Sequence, residues 1–281
     1  MKQAKIMKTP EVDPVFSFLG ATGKYVTFNI TKGNFKKAAS NPIYMASILS
    51  IMRKLKLEDI YMPNIEHGVN VVLGEGNHAF NSFSFDDINV NTTTEKSDAI
   101  ISEEGKFLAI ASADCMVATV VDIKTDIIGI AHVGWRGAVG DILLKTIDEI
   151  IAKGNSNKEN IKICIGPSLK KENFEIMSDV KDILSDYCSK HKFELEKYIE
   201  VKDNDHWLFD QELLVKDALL DYGILKENLY ISDMDTFSEP DISQKDNYLY
   251  HSYRRDGKDA GRILVGIVPS KYYGNVLKSL R

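Results

Sequence analysis

Cysteine is scarce in this chain, with three residues in 281: Cys115, Cys164 and Cys188. An odd number without paired spacing argues against a disulfide-stapled secreted scaffold and makes a reducing cytoplasm the expected location. Histidine is also sparse, at six residues, and no His-X-His pair occurs. That argues against a multicopper oxidase, which must fill several copper sites largely with imidazoles. No uncharged apolar run reaches the ~18 residues of a membrane span. The first residues, MKQAKIMKTPEVDPVF, carry lysines but lack the apolar core of a signal peptide. Positive charge is in the minority: 35 Lys and Arg face 41 Asp and Glu, a net charge of −6. The overall field therefore disfavours nucleic acid and anionic lipid as partners, and any anion must be held by a local basic pocket. Repeats and low-complexity runs are absent. The longest turn-rich interval, 74–97, is too short for a domain linker, so one continuous domain over residues 1–281 is expected.

With 44% hydrophobic residues the chain can bury a large core. Apolar stretches bounded by turn residues predict strands at 25–30, 69–73, 107–112, 116–122, 127–133, 161–165, 229–232, 248–253 and 263–268. Helical spacing appears at 41–55, 138–153, 180–190 and 211–222. Within the second of these, Ile142, Leu143, Thr146, Ile147, Ile150 and Ile151 share a face, and Gly154-Asn155 supplies the stop. Asp210 is placed to cap the last helix, which ends at Gly223. Strands outnumber helices and come in adjacent pairs, which fits α+β better than an alternating parallel sheet.

The stretch SADCMVATVVDIKTDIIGIAHVGWRGAVGD carries most of the chemistry. If 117–121 and 127–133 pair antiparallel about the short polar turn between them, opposed residue numbers sum to roughly 249. Cys115 and His132 then share one side of the hairpin, about 7 Å apart as diagonal neighbours, a gap that a metal can bridge. A shift of one residue would put them on opposite faces. The alternative is an ordinary buried cysteine and a hydrogen-bonded histidine. His67, in PNIEHGVNVV, has the same strand-end context and is the natural third ligand, whereas His78, His191, His206 and His251 read as surface residues. A Cys-His-His set leaves a fourth position open, the pattern of a catalytic zinc site. Gly134-Trp135-Arg136-Gly137 at a helix start offers backbone N–H groups and a cation for an anion, or else only a Gly-rich turn with a surface arginine. HSYRRDGKDAGR brings Arg254, Arg255 and Arg262 together, as an anion site or as a solvated loop.

HG at 67–68, ADC at 113–115, HVGWRG at 132–137, IGP at 165–167 and SYRRDGKDAGR at 252–262 follow one another in an order that resembles the YfiH or laccase-domain family. The likeness runs from about Phe18 to Val268. Its members were long labelled multicopper polyphenol oxidases and are related to the human laccase domain-containing protein. The resemblance implies a single α+β domain with mixed β-sheets flanked by helices, distantly like cysteine-dependent bacterial toxin deamidases. It implies zinc, with copper the lesser candidate, on His67, Cys115 and His132. It also implies phosphorolysis of adenosine, inosine, guanosine or methylthioadenosine to free base and ribose 1-phosphate, with adenosine deamination as a companion reaction. Purine nucleosides and phosphate are then the partners.

Phosphorolysis requires a phosphate cradle, for which Arg136, Arg254, Arg255 and Arg262 are the candidates, with Asn29 near the entrance. Asp114 is a candidate proton carrier, or a carboxylate that fixes the strand end. The chain departs from the family at several places. Asp235 and Ser238 stand where relatives have cysteines, Ser168 follows IGP, and NPIYMASIL lacks an Asn-Arg pair, which bears on substrate range. Other readings are a hydrolase using Cys115 as nucleophile and His132 as base, and a purine-binding protein without turnover. No feature of the sequence sets the oligomeric state.

Overall fold

Seven consecutive buried residues, Met116–Asp122, form the strand around which the protein is built, β9. Side chains alternate across a strand, so Val117 and Val121 enter one core while Met116, Ala118 and Val120 enter another. A strand with no polar face has to be covered on both sides. The computed structural model, which describes residues 13–17, 25–30, 42–75, 80–85, 87–241 and 247–269, shows what covers it.

β9 lies within a six-stranded sheet in the order β15 (Leu229–Ile231), β11 (Ile161–Ile165), β9, β10 (Ile128–Val133), β7 (Ala99–Ser102) and β4 (Val71–Leu73). The β11–β15 and β4–β7 pairs are parallel and the others antiparallel. On its inner face this sheet packs against a seven-stranded one. The order there is β1 (Asp13–Ser17), β2 (Tyr25–Ile30), β16 (Ile263–Pro269), β8 (Leu108–Ser112), β3 (Asp59–Asn64), β6 (Ile88–Lys96) and β5 (Phe80–Phe85). Leu108, Ile110, Val265 and Ile267 meet Val117, Val121, Ile128 and Ile130 between the sheets. The hydroxyls of Thr27 and Thr119 satisfy one another there at 2.7 Å. Helix α1 (Pro42–Leu55) covers the outer face of the larger sheet through Ile48, Ile51, Met52 and Leu55. Helices α3 (Ile142–Gly154) and α5 (Gln211–Tyr222) cover the outer face of the smaller one. The layers are helix, sheet, sheet, helix. A side unit joins them, in which α4 (Ser178–His191) packs on a small sheet of β12 (Glu175–Ile176), β14 (Trp207–Phe209) and β13 (Ile199–Val201).

Three expectations are corrected. The helix expected over 138–153 is two helices, α2 (Trp135–Val139) and α3, with Asp141 between them at φ +62°. The break falls where Gly140 packs so closely on Val69 that a Cβ there would overlap the valine. The turn-rich interval 74–97 holds the β5–β6 hairpin. Its Ser, Asn and Thr residues bond across the strands, Ser82 to Asn91 and Ser84 to Asn89, so its polarity is that of an exposed hairpin rather than a loop. The strand expected over 248–253 is replaced by an isolated bridge at Tyr248 and a short helix, α6 (Tyr253–Asp256). Ser252 accepts a hydrogen bond from the Arg255 N–H, an N-cap that turns the chain into a helix. Asp210 caps α5 as expected, accepting from Leu213 N–H.

Candidate metal centre and its cleft

The β9–β10 hairpin has the expected register, with Val121 opposite Ile128 and Val117 opposite His132. Cys115 therefore enters β9 on the same side as His132 near the end of β10. His67 arrives from the loop before β4 with a left-handed backbone, φ +66°. The ligand atoms of His67, Cys115 and His132 all lie within 4.8 Å of one another, and the two imidazole rings stand edge to face. Gly134 makes room for the cluster. A Cβ at that position would lie 3.4 Å from Cys115 Sγ, 3.4 Å from His132 Cε1 and 3.5 Å from His67 Cδ2.

Asp98, fully buried ahead of β7, holds two of the three ligands in place. Its carboxylate pairs with His132 Nδ1 at 2.9 Å and accepts the backbone N–H groups of His67 at 3.0 Å and Gly68 at 2.7 Å. Its main-chain carbonyl accepts the N–H of His132 at 2.7 Å. Engaging Nδ1 fixes the ring and leaves Nε2 for a metal. Burial tends to raise the Asp98 pKa, but the His132 bond and the backbone donors outweigh it and lower the pKa below the ordinary carboxylate value. Burial likewise opposes ionisation of Cys115, yet the bonds from His132 and His67 bring its thiol down to about 6. Burial disfavours the imidazolium of His132, but Asp98 and Cys115 overcome that and push it up to about 9. Near neutral pH the pair is thus a thiolate facing an imidazolium. Two imidazoles and a thiolate, with one ring oriented by a carboxylate, are donors suited to a divalent metal with one open position.

The cluster forms the floor of a cleft of about 630 Å³, walled by Trp135, Leu169, Phe174 and Tyr253 and rimmed by Arg254 and Arg262. Arg254 donates to the Glu175 carbonyl at 2.9 Å, and its guanidinium carbon lies 5.8 Å from the Phe174 ring centre. Arg262 donates to the carbonyls of Ala260 and Gly261. Asp114 also lines the cleft, at φ +78°. Its carboxylate accepts from the Thr236 hydroxyl at 2.7 Å and from Arg254 N–H at 2.6 Å.

Arg136 and Arg255 stand apart from this wall. Arg136 is exposed and stacks over its neighbour Trp135, 4.2 Å from the ring centre. Arg255 is turned inward, donating to the carbonyls of Thr236, Phe237 and Tyr250 and pairing with Asp256, which pins the loop. Asn29 pairs with Val265 through the backbone of β2, and its side chain lies outside the described residues. His78 lies outside them as well. His191, expected at the surface, stacks on Tyr187 with its Nε2 buried. Asp235 organises its loop by accepting from Lys170 N–H, Phe237 N–H, Asn173 and Ser238.

Sequence reasoning missed Asp98. Its only signal is an acidic residue directly before the apolar run AIIS, in a position to bond the neighbouring strand's histidine.

A mixed α+β fold in one domain, carrying a two-histidine, one-cysteine centre, defines the class. The chain belongs to the family described as multi-copper polyphenol oxidoreductase laccase, whose model matches residues 22–270. Purine nucleoside phosphorylase RP494 of Rickettsia prowazekii (strain Madrid E) is 26% identical over 208 residues, covering 74% of this chain and 78% of that protein. Purine nucleoside phosphorylase YlmD of Bacillus subtilis (strain 168) is 26% identical over 181 residues, covering 62% of this chain and 59% of its own length. Adenosine deaminase RL5, from an unknown prokaryotic organism, is 27% identical over 133 residues, 47% of this chain and 49% of that protein. Among solved structures, hypothetical protein YfiH of Bacillus licheniformis superposes with a TM-score of 0.73 at 18% identity, covering 93% of this chain and 97% of that one. Protein NMB0706 of Neisseria meningitidis gives 0.66 at 22% identity, covering 87% and 94%. Among the described residues, no helix is long and apolar enough to cross a membrane.

Proposed function

We propose that this protein is a zinc-dependent purine nucleoside phosphorylase with a companion adenosine deaminase activity. The observation that carries the reading is a His-Cys-His cluster at the floor of a cleft whose rim holds two arginines and whose walls are aromatic. Relatives named purine nucleoside phosphorylase and adenosine deaminase support it. A cleft of about 630 Å³ is within the usual range for small-molecule sites.

His67, Cys115 and His132 would hold the zinc, which would supply Lewis acidity and lower the pKa of water. The residues of this chain do the rest. Arg254 and Arg262 attract phosphate against the net negative charge of the molecule and hold its oxygens for attack on the sugar carbon. Trp135, Phe174 and Tyr253 offer flat apolar faces to a purine. As the glycosidic C–N bond breaks, its electron pair leaves with the base, which takes up a proton. Adenosine, inosine, guanosine and methylthioadenosine share this chemistry. Only one cluster of three potential ligands occurs among the described residues, which favours a single zinc over a multicopper centre.

The test is an endpoint assay of zinc-loaded protein with adenosine or inosine, with and without phosphate, separating nucleosides from bases by chromatography. Phosphate-dependent base release, lost in Cys115→Ala, is the expected result. Protein that retains its zinc and releases base from neither nucleoside overturns the reading.

A further inference from the structure

We propose that Asp114 is a positioning residue, a latch that ties α6 to the chain beside Cys115 and so holds Arg254 in the cleft that the metal ligands line. The proposal rests on the phosphorylase reading for its kinetic consequence and on geometry alone for the latch. Asp114 directly precedes the ligand Cys115, so the same backbone that presents the sulfur also carries the tether. Two cleft-lining residues, Arg254 and Leu169, and the buried Thr236 are joined to it. Its Oδ1 accepts from the Thr236 hydroxyl at 2.7 Å, its Oδ2 accepts from the Arg254 N–H at 2.6 Å, and its main-chain carbonyl accepts from the Leu169 N–H at 2.9 Å.

Each partner is anchored in turn. Thr236 is fully buried and donates its N–H to the Ser168 carbonyl at 3.1 Å. Leu169 is buried in the cleft wall. α6 has only four residues, too few to hold its own shape, and its first turn presents N–H groups that need outside acceptors. Ser252 serves the N–H of Arg255 from the residue adjoining the helix, and Asp114 serves that of Arg254 from a segment distant in sequence. Asp114 keeps a left-handed backbone, φ +78°, which a non-glycine residue holds only when its surroundings over-determine it. These bonds do so. Both oxygens are already accepting bonds from groups with a structural duty, an arrangement suited to holding a wall rather than to carrying a proton to substrate.

The test uses full-length, zinc-loaded protein carrying Asp114→Asn, Asp114→Ala or Thr236→Val. Amide hydrogen exchange is read by mass spectrometry, and inosine phosphorolysis is read at varied phosphate. Exchange over 252–259 is expected to rise about tenfold or more in Asp114→Ala, while exchange across Met116–Asp122 and Ile128–Val133 stays unchanged and zinc is retained. If that variant does not fold, Thr236→Val carries the same measurement. Thr236→Val and Asp114→Asn are each expected to raise the KM for phosphate about five- to tenfold, with the pH profile of kcat left in place. Unchanged exchange over 252–259 overturns the latch whatever the substrate. A fall in kcat confined to Asp114→Asn, with phosphate KM untouched and Thr236→Val silent, also overturns it and makes Asp114 the proton carrier. If the wild-type protein turns over no nucleoside, the exchange arm decides the latch, and the failure belongs to the phosphorylase reading alone.

Discussion

A thiol and an imidazole that share one proton behave differently from either group alone. With Cys115 at about 6 and His132 at about 9, the metal-free pair holds that proton on the imidazole across the interval between. A metal needs the thiolate and the free Nε2, so binding must expel it. Zinc binding to metal-free protein is therefore expected to release close to one proton between about pH 6 and about pH 9. More is released below that window, where the thiol is protonated too, and less above it. Calorimetry in buffers of different ionisation enthalpy measures the number. Asp98 is among the groups that raise His132, so in Asp98→Asn the upper edge of the window should move down and zinc affinity should fall about 10- to 100-fold. An unmoved edge would show that Asp98 does not set the imidazole. Cys115 and His132 were legible in the sequence because strand alternation and a short turn fix a hairpin register, and His67 because it stands at a strand end before a glycine. Asp98 was not, since an aspartate before an apolar run looks the same whether it caps a turn or orients a ligand.

Elements were legible where one physical rule acts alone. β9, β11 and α5 fall on the expected residues because their apolar pattern is set by burial on both faces, or by a cap and a glycine stop. The failures occur where a distant contact overrides a local pattern. The apolar periodicity of α3 runs back through Ala138, but the packing of Gly140 on Val69 divides the helix, and no window of sequence contains both residues. That elbow also ties α2 to the loop bearing His67. Gly140→Ala is expected to destabilise the protein by about 1–3 kcal/mol, because the added methyl overlaps Val69 Cγ1 rather than violating its backbone conformation. Val69→Ala in the same chain should recover part of that loss. Urea unfolding of the single and double variants separates the two causes, since a double variant no more stable than Gly140→Ala would point to the backbone instead. The stretch before α6 failed in the same way. Its apolar and aromatic residues resemble a strand, but the Ser252 cap and the carboxylate of the distant Asp114 together serve the first turn of a helix.

At the scale of the molecule, the two facing sheets were foreseeable as a class, whereas the sheet each strand joins was not. β3 pairs in parallel with both β6 and β8, and β2 pairs with β16 from the far end of the chain, choices made by the assembled core rather than by either strand. Tyr25 tests that assembly. It is buried in the inter-sheet core, and its hydroxyl donates to the Asp126 carbonyl at 2.7 Å. Burial, with a smaller contribution from Asp126, pushes its pKa from 10.0 up to about 12. The folded phenol therefore holds its proton more tightly than the unfolded one, and deprotonation favours unfolding. Its contribution to stability is complete below pH 10 and is lost as pH rises through 10 towards 12. Tyr187, Tyr198 and Tyr222 are raised as well, first by burial and then by Asp141, Asp217 and Asp148 respectively, so the whole protein should lose stability over the alkaline range. Urea midpoints for wild type and Tyr25→Phe, compared across this window, isolate the contribution of one phenol. The variant should start less stable, having lost a hydrogen bond, and then fall less steeply with pH. Parallel curves would mean that Tyr25 ionises as freely in the folded chain as in the unfolded one, and that the sheets do not close over it.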